Sequence, residues 1–347
     1  MKSVFIAISM GLAAAFALFP SGEASPPTEQ TRNNIKPDSN APEVTGPFTH
    51  ENLTIYLVHG PDVLKNQSYL TLQEALEQKK IIVHETGHVQ QLAIENISDR
   101  DAIFLQAGDI VRGGKQDRVI ADDLIAMPKS GKIPINSFCV EQGRWTRRGG
   151  EASDRFTSSS NAVCSKSIKL AVRYAKDQSM VWSGVAEQQG GLGGGLMVET
   201  RNEESPTSLE LTMENEAVKS ASGEYATALG DIIKKRADTL GYVAVINGQI
   251  SCADTYGSHA LFAKLWPKLL DACAVEAVAE NGKSKATPGS SLEAVRMFLS
   301  AAQAGKVSGE RRYQQVMSNV RETDGSMLYE TIDSTHNGWV RRNYLAK

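Results

Sequence analysis

Ile81-Ile-Val-His-Glu-Thr-Gly-His-Val-Gln-Gln-Leu-Ala-Ile-Glu-Asn96 can be read in two ways, and the two give different proteins. Read as a helix, His84-Glu85-Thr86-Gly87-His88 is a literal H-E-x-x-H. One helical turn would then set two imidazoles on zinc and Glu85 beside the attacking water. Read as strands, Ile81 to Val83 is β in character, and Val89, Gln91 and Ala93 alternate with Gln90, Leu92 and Ile94 across a Thr86-Gly87 turn. No His follows Gln91 or Glu95 to complete a zinc site, and the next Glu is Glu141. The β reading prevails, and a zinc metalloprotease is the disfavoured alternative.

The same period of two extends outward. Leu53 to Val58, Ala102 to Gln106, Val119 to Met127 and Ile135 to Val140 read as further strands, and Thr71 with Glu74 forms a capping box for a short helix to Lys79. Residues 48–150 are therefore expected to form a β-sandwich or barrel-like half. Arg, Gly and Ser between Thr146 and Asn161 mark a surface loop. Beyond it one more strand is expected over Ile168 to Tyr174, then a helix capped by Asp177 and ended by a mobile Gly190–Gly195 run. A long helix over Glu210 to Leu240, a strand at Tyr242 to Ile246 and a turn-rich link from Ser251 to Gly257 follow. Ser258 then caps a helix whose stripe is Leu261, Phe262, Leu265, Trp266, Leu269, Leu270 and Cys273, with a kink at Pro267. The expected class is α+β: the β half, then a mixed, mainly helical half of the same domain over 151–280. A polar link, a helix from Ser291 to Ala304 and a mixed tail complete the chain to residue 347.

At the amino terminus, Lys2, an apolar run from Val4 to Leu18, and Pro20, Ser21, Gly22 and Ala24 follow the order of a secretory signal peptide, with cleavage near Ala24. Residues 25–47, rich in Pro, Asn, Ser and Thr, read as a disordered leader. A secreted or periplasmic setting follows, with no membrane span after cleavage. The net charge of -3 gives no basic bias toward nucleic acid. In an oxidising compartment Cys139, Cys164, Cys252 and Cys273 pair by default. The shortest loops join Cys139 to Cys164 and Cys252 to Cys273. Four buried unpaired thiols are the other reading.

The chemistry gathers in two stretches. In Arg112-Gly-Gly-Lys-Gln-Asp-Arg118, Gly113 and Gly114 allow backbone N–H groups to turn inward as an anion nest, with Arg112, Lys115, Gln116 and Arg118 around it. The Walker spacing is absent, and a β-turn with solvated charges is the plainer alternative. In Ser137-Phe-Cys-Val-Glu-Gln-Gly-Arg-Trp145, a strand would put Ser137, Cys139 and Glu141 on one face, making Cys139 a candidate nucleophile and Glu141 a candidate acid/base. Arg144 and Trp145 are candidates to hold an anion and a ring. Asp254 and His259, near a helix start, are a candidate second wall.

Taken together, Glu85, Ile94-Glu95-Asn96, Gln106-Ala107-Gly108-Asp109, Gly113 to Arg118, and Cys139-Val140-Glu141-Gln142-Gly143-Arg144-Trp145 resemble the ADP-ribosylglycohydrolase and rhodanese-phosphatase associated protein domain. Gln178 with Val181-Trp182, and Ser258 to Phe262, are similar too. The resemblance spans about Glu51 to Glu276. It implies a ligand carrying phosphates and an aromatic base, suiting Arg112, Lys115, Arg118 and Trp145. Glu85 belongs to the shared pattern, whereas His84 and His88 do not. The leading expectation is an exported protein that binds a small phosphorylated or anionic ligand, with hydrolysis as the chemistry Glu141 would serve. A non-catalytic module for a sugar acid or a peptide competes with it. Neither a metal nor a cofactor is expected.

Overall fold

Along β2 (Leu53–His59), Ile55 and Leu57 face one side and Tyr56 and Val58 the other, and all four are buried. A strand's alternation sends successive side chains to opposite faces, so this strand is covered on both. β2 belongs to an eight-stranded antiparallel sheet. It lies between β1 (Glu43–His50) and β12 (Thr239–Ile246), and the order continues through β13 (Gln249–Tyr256), β17 (Gly338–Ala346), β16 (Ser326–Asp333) and β15 (Val316–Glu322) to β14 (Lys306–Tyr313). These coordinates are a computed structural model describing residues 42–64, 67–144, 146, 149, 154, 156–282 and 290–347.

Helices complete both faces of the large sheet. Tyr56, Val58, Val243, Val245, Leu328 and Tyr344 pack with Val295, Leu299 and Ala302 of α7 (Leu292–Ala304). Ile55, Leu57, Tyr242 and Ala244 share a core with the apolar stripe of α6 (His259–Ala279), in which Phe262, Trp266 and Leu269 are fully enclosed. Each such side chain contributes roughly 2–3 kcal/mol by leaving water. Ser258 caps α6 as expected, and Pro267 is accommodated inside it.

The second β layer is smaller. Its six-stranded sheet runs β11 (Phe156–Val163), β7 (Asp109–Gly113), β8 (Arg118–Ile120), β10 (Gly131–Cys139), β5 (Gln91–Asn96), β4 (Ile81–Glu85). Beside it stand β3 (Tyr69–Thr71), β6 (Ala102–Leu105) and β9 (Leu124–Ala126), with β3 and β6 parallel. The core that these sheets share with α1 (Leu72–Glu77) includes Val83, Leu92, Ile94 and Ile103. Thr71 and Glu74 make the expected capping box. His84 pairs with Ala93 and Glu85 with Leu92, so the H-E-x-x-H string is a strand and its turn.

Several expectations give way. β1 begins at Glu43, so the last residues of the expected leader are strand; the expected signal peptide, residues 1–24, lies outside the described residues. Residues 166–175 are not a strand: α2 (Lys166–Leu170) runs into a π-helical turn, Ala171–Ala175. Its Lys169 and Arg173 reach buried partners, Asp254 and Asp123, that the local sequence does not reveal. The glycine run does not end α3 (Gln178–Leu196) but lies within it. A Cβ on Gly191 would stand 2.5 Å from the Ala279 carbonyl oxygen and one on Gly195 2.6 Å from that of Val278, so these glycines let α3 lie against the end of α6. The expected long helix is two, α4 (Leu209–Met213) capped by Ser208 and α5 (Glu216–Leu229) capped by Asn215, followed by a 3-10 turn.

The fold is mixed α/β, with seven α-helices and three sheets among the described residues. It does not divide into a β half and a mainly helical half. Helices crowd between 166 and 279, but β12 and β13 from that stretch join β1 and β2, and the tail is four strands. No described helix is long and apolar enough to cross a membrane.

The cysteine pairing is also corrected. All four thiols are free and buried. Cys139 closes β10, with its backbone bonded to Gln178, while Cys164 lies beside Gly108 near Lys169. Cys252 and Cys273 are close neighbours without a covalent link.

Candidate functional site

β7 and β8 pair antiparallel, Val111 opposite Arg118, and the loop between them carries the glycine pair. Gly113 has φ 118° and Gly114 φ 57°, conformations that an L side chain rarely adopts. At Gly114 the need is also steric, since a Cβ would meet the Phe156 ring at 2.3 Å. The loop does turn N–H groups inward, and the protein's own carboxylates receive them. Gly113 N donates to Asp117 Oδ1 (3.0 Å), Lys115 N to Glu85 Oε2 (3.2 Å) and Asp117 N to Glu141 Oε2 (3.3 Å).

Two guanidiniums lock this arrangement. Arg118, a candidate ligand contact, has no exposed surface; its Nη1 donates to the Gln116 carbonyl at 3.1 Å and its Nη2 lies 3.7 Å from Glu85. Arg144 embraces Glu141, Nε to Oε1 at 2.8 Å and Nη2 to Oε2 at 2.7 Å, and its Nη1 donates to the carbonyls of Thr146 (2.5 Å) and Gly114 (3.4 Å). This forked geometry is one that Lys cannot reproduce. Arg112 pairs with Glu214 at the border, where both are about one-third exposed. Lys115 is half-buried beside the Gly87 turn, and Gln116 is buried. Trp145 lies outside the described residues.

The structure therefore gathers Glu85, the 113–118 loop, Glu141 and Arg144, although three separate stretches supply them. It adds residues that the sequence reading missed. Ser205 Oγ donates to Glu141 at 2.5 Å and Ser208 Oγ to Asp117 at 3.2 Å. Ser208 is also the α4 cap, so the Ser205-Pro-Thr-Ser208 turn was the available signal, obscured by reading one long helix from Glu210.

The two candidate catalysts fare differently from that expectation. Glu141 is fully buried and its oxygens accept from Arg144, Ser205 and the Asp117 N–H, which makes it an anchor for Arg144. It lies beyond the end of β10, so it does not share a strand face with Ser137 and Cys139. Burial pushes the Cys139 thiol up to about 11, which keeps it protonated at neutral pH and a poor nucleophile. His84 Nε2 is engaged by Glu95 at 2.7 Å, and His88 is exposed in the turn. Among the described residues no group of three or more His, Cys, Asp or Glu is placed to hold a metal. Asp254 and His259, the candidate second wall, are engaged by other partners: Asp254 is paired with Arg341, and His259 Nδ1 meets the Thr239 carbonyl at 2.7 Å.

No curated protein and no solved structure matches the chain. The ARG and Rhodanese-Phosphatase-superfamily-associated Protein domain, ARPP-1, matches residues 42–340 and so takes in the second β layer, the large sheet up to the start of β17, and the whole cluster around Glu141. The chain belongs to the ARPP-1 domain family.

Proposed function

We propose that the protein binds a small anionic ligand, phosphorylated on the family resemblance, at the outer face of the Glu85–Glu141 cluster. The observation that carries this reading is the convergence of both family motifs and Glu85 around the half-buried Lys115. Burying carboxylates and guanidiniums is costly, and one use of such a frame is to fix geometry. Here it fixes the Lys115 peptide through Glu85 and the turn through Arg144. Lys115 supplies charge to ligand oxygens, with Arg112 at the border, while Arg118, Gln116, Asp117 and Glu141 form the support beneath. The role is binding, since neither Glu141 nor Cys139 is placed for proton transfer or attack. The setting is outside the cytoplasm, on the signal-peptide order of the first 24 residues.

A thermal-shift panel of ADP-ribose, NAD, inorganic phosphate, glucuronate and zinc tests this. A ligand at about a hundredfold above its dissociation constant stabilises by about 2.7 kcal/mol. The expected result is stabilisation by a phosphorylated ligand that Lys115→Ala abolishes while the variant stays folded. Stabilisation by glucuronate alone would move the ligand to the sugar acids. Stabilisation by zinc alone, or a phosphorylated ligand indifferent to Lys115→Ala, would overturn the reading.

A further inference from the structure

A second site lies apart from the two motifs. A cleft of about 650 Å³ opens between Ala121, Asn136 and Phe138 of the six-stranded layer and the outer strands β14 to β16, and the π-helical turn supplies Val172, Arg173 and Tyr174. Its floor is apolar at Phe138, Val172 and Met327, all buried. Arg173, 8% exposed, holds its guanidinium over the Tyr329 ring at 4.0 Å from its centroid. The Tyr329 hydroxyl is sealed from solvent and has no hydrogen-bond partner. An unpaired buried donor is costly, and a ligand oxygen would satisfy it.

Charge decides the ligand class. Arg173 Nη2 is 3.4 Å from Asp123 Oδ2, an oxygen that also accepts from Thr331 at 2.5 Å, while Asp123 Oδ1 takes the Ala107 N–H and Arg341. Arg341 in turn shares Asp254 with Lys169. Three cations thus share two carboxylates. At the Arg173 end no other described carboxylate pairs with the guanidinium. The rim is balanced: Asp122 is held by Arg311 and Asn136, Glu322 by Lys347 and Tyr174, and exposed Lys176 faces exposed Glu310 in number.

We propose that this cleft binds an organic monoanion that spreads one charge over two oxygens, a carboxylate or a phosphodiester, with its ring on the Phe138–Val172–Met327 floor. Its oxygens meet Arg173 and the Tyr329 hydroxyl, and Lys176 closes over it from the rim. The site is independent of Lys115.

Titration calorimetry on the full chain with benzoate, glucuronate and cyclic AMP, against benzamide and adenosine as uncharged counterparts, tests this. At least one anion should bind about tenfold or more tighter than its counterpart, as a charge-assisted contact requires. Tyr329→Phe and Lys176→Ala should each weaken it about fivefold to tenfold, and Lys115→Ala should leave it unchanged. Without ligand, Tyr329→Phe should keep or raise Tm, because the deleted hydroxyl has no partner. Binding by none of the three anions at about 10 mM would overturn the proposal. So would equal binding of the uncharged compounds, or a Tyr329→Phe variant with lowered Tm and unaltered affinity.

Discussion

Two clusters of buried charge lie in this fold, and they are built on different principles. Around Glu141 the partners come from the end of β4, the β7–β8 loop and the turn after β10, and each of the two motifs supplies both a carboxylate and a guanidinium: Asp117 and Arg118 in one, Glu141 and Arg144 in the other. Around Arg341 they come from the whole length of the chain. Asp123, Arg173, Asp254, Arg341 and Asn343 meet only because the large sheet, the second β layer and the π-helical turn close on one another. The first cluster shapes a loop; the second joins the layers. A ligand reading suits the exposed border of the first and the cleft end of the second.

The sharpest way to break this comparison is at Arg341. Arg341→Met leaves the buried Asp123 and Asp254 carboxylates without the guanidinium they share, and a buried pair broken on one side costs about 3–5 kcal/mol. Urea unfolding should show a loss of that size, partly recovered when Asp123→Asn is added, since contacting partners are not additive. An Arg341→Met variant as stable as the parent would mean that the layers are held by apolar packing alone.

Arg118 comes next. Its full burial against Glu85 and the Gln116 carbonyl makes Arg118→Ala destabilising by about 3 kcal/mol, where a solvent-exposed ligand contact would leave the fold untouched. Arg118→Lys should recover less than half, because one ammonium cannot serve both acceptors. A folded, fully stable Arg118→Ala would return this residue to the ligand-binding set.

Acid sharpens the contrast further. Burial alone would raise the Asp123 carboxyl, but Arg341 and Arg173 outweigh it and bring it down to about 2. A carboxylate depressed on folding contributes stability that is present above its unfolded value, about 4, and is lost as pH falls through its folded value. About 2 kcal/mol should therefore disappear between about pH 4 and pH 2. Urea midpoints across that range measure it, and Asp123→Asn should flatten the slope. An unchanged slope would show that Asp123 is not the group responsible.

The smallest effect is expected where the first cluster reaches water. Arg112 and Glu214 are each about one-third exposed, so Arg112→Ala should cost less than about 1 kcal/mol, and less again in high salt. A larger loss would extend the buried cluster to this border.

What could be read in advance follows the range of the interactions. Alternation at Leu53 to Val58 and Ile81 to Ile94, the capping box at Thr71, the Asp177 and Ser258 caps and the α6 stripe were all legible, because each is settled by residues within a few positions of one another. Sequence also brought Glu85, the glycine loop and Glu141 into one frame through a family resemblance. The same local logic failed at 168–174, where the apolar spacing suits a strand and a helix alike, and at the α3 glycines, whose purpose is the backbone of α6.

By itself, then, the sequence determined which segments are strands and helices where the pattern closes within a few residues, and it carried the resemblance to the family that matches residues 42–340. Only the tertiary structure decided that Arg118 and Glu141 are buried supports, that the thiols stay apart or unbonded, and that Arg173 and Tyr329 share a cleft. The reason is physical. A side chain's charge and shape are written in the chain, but its partner and its exposure depend on contacts 50 to 218 residues away, as Arg173 to Asp123 and Arg341 to Asp123 are.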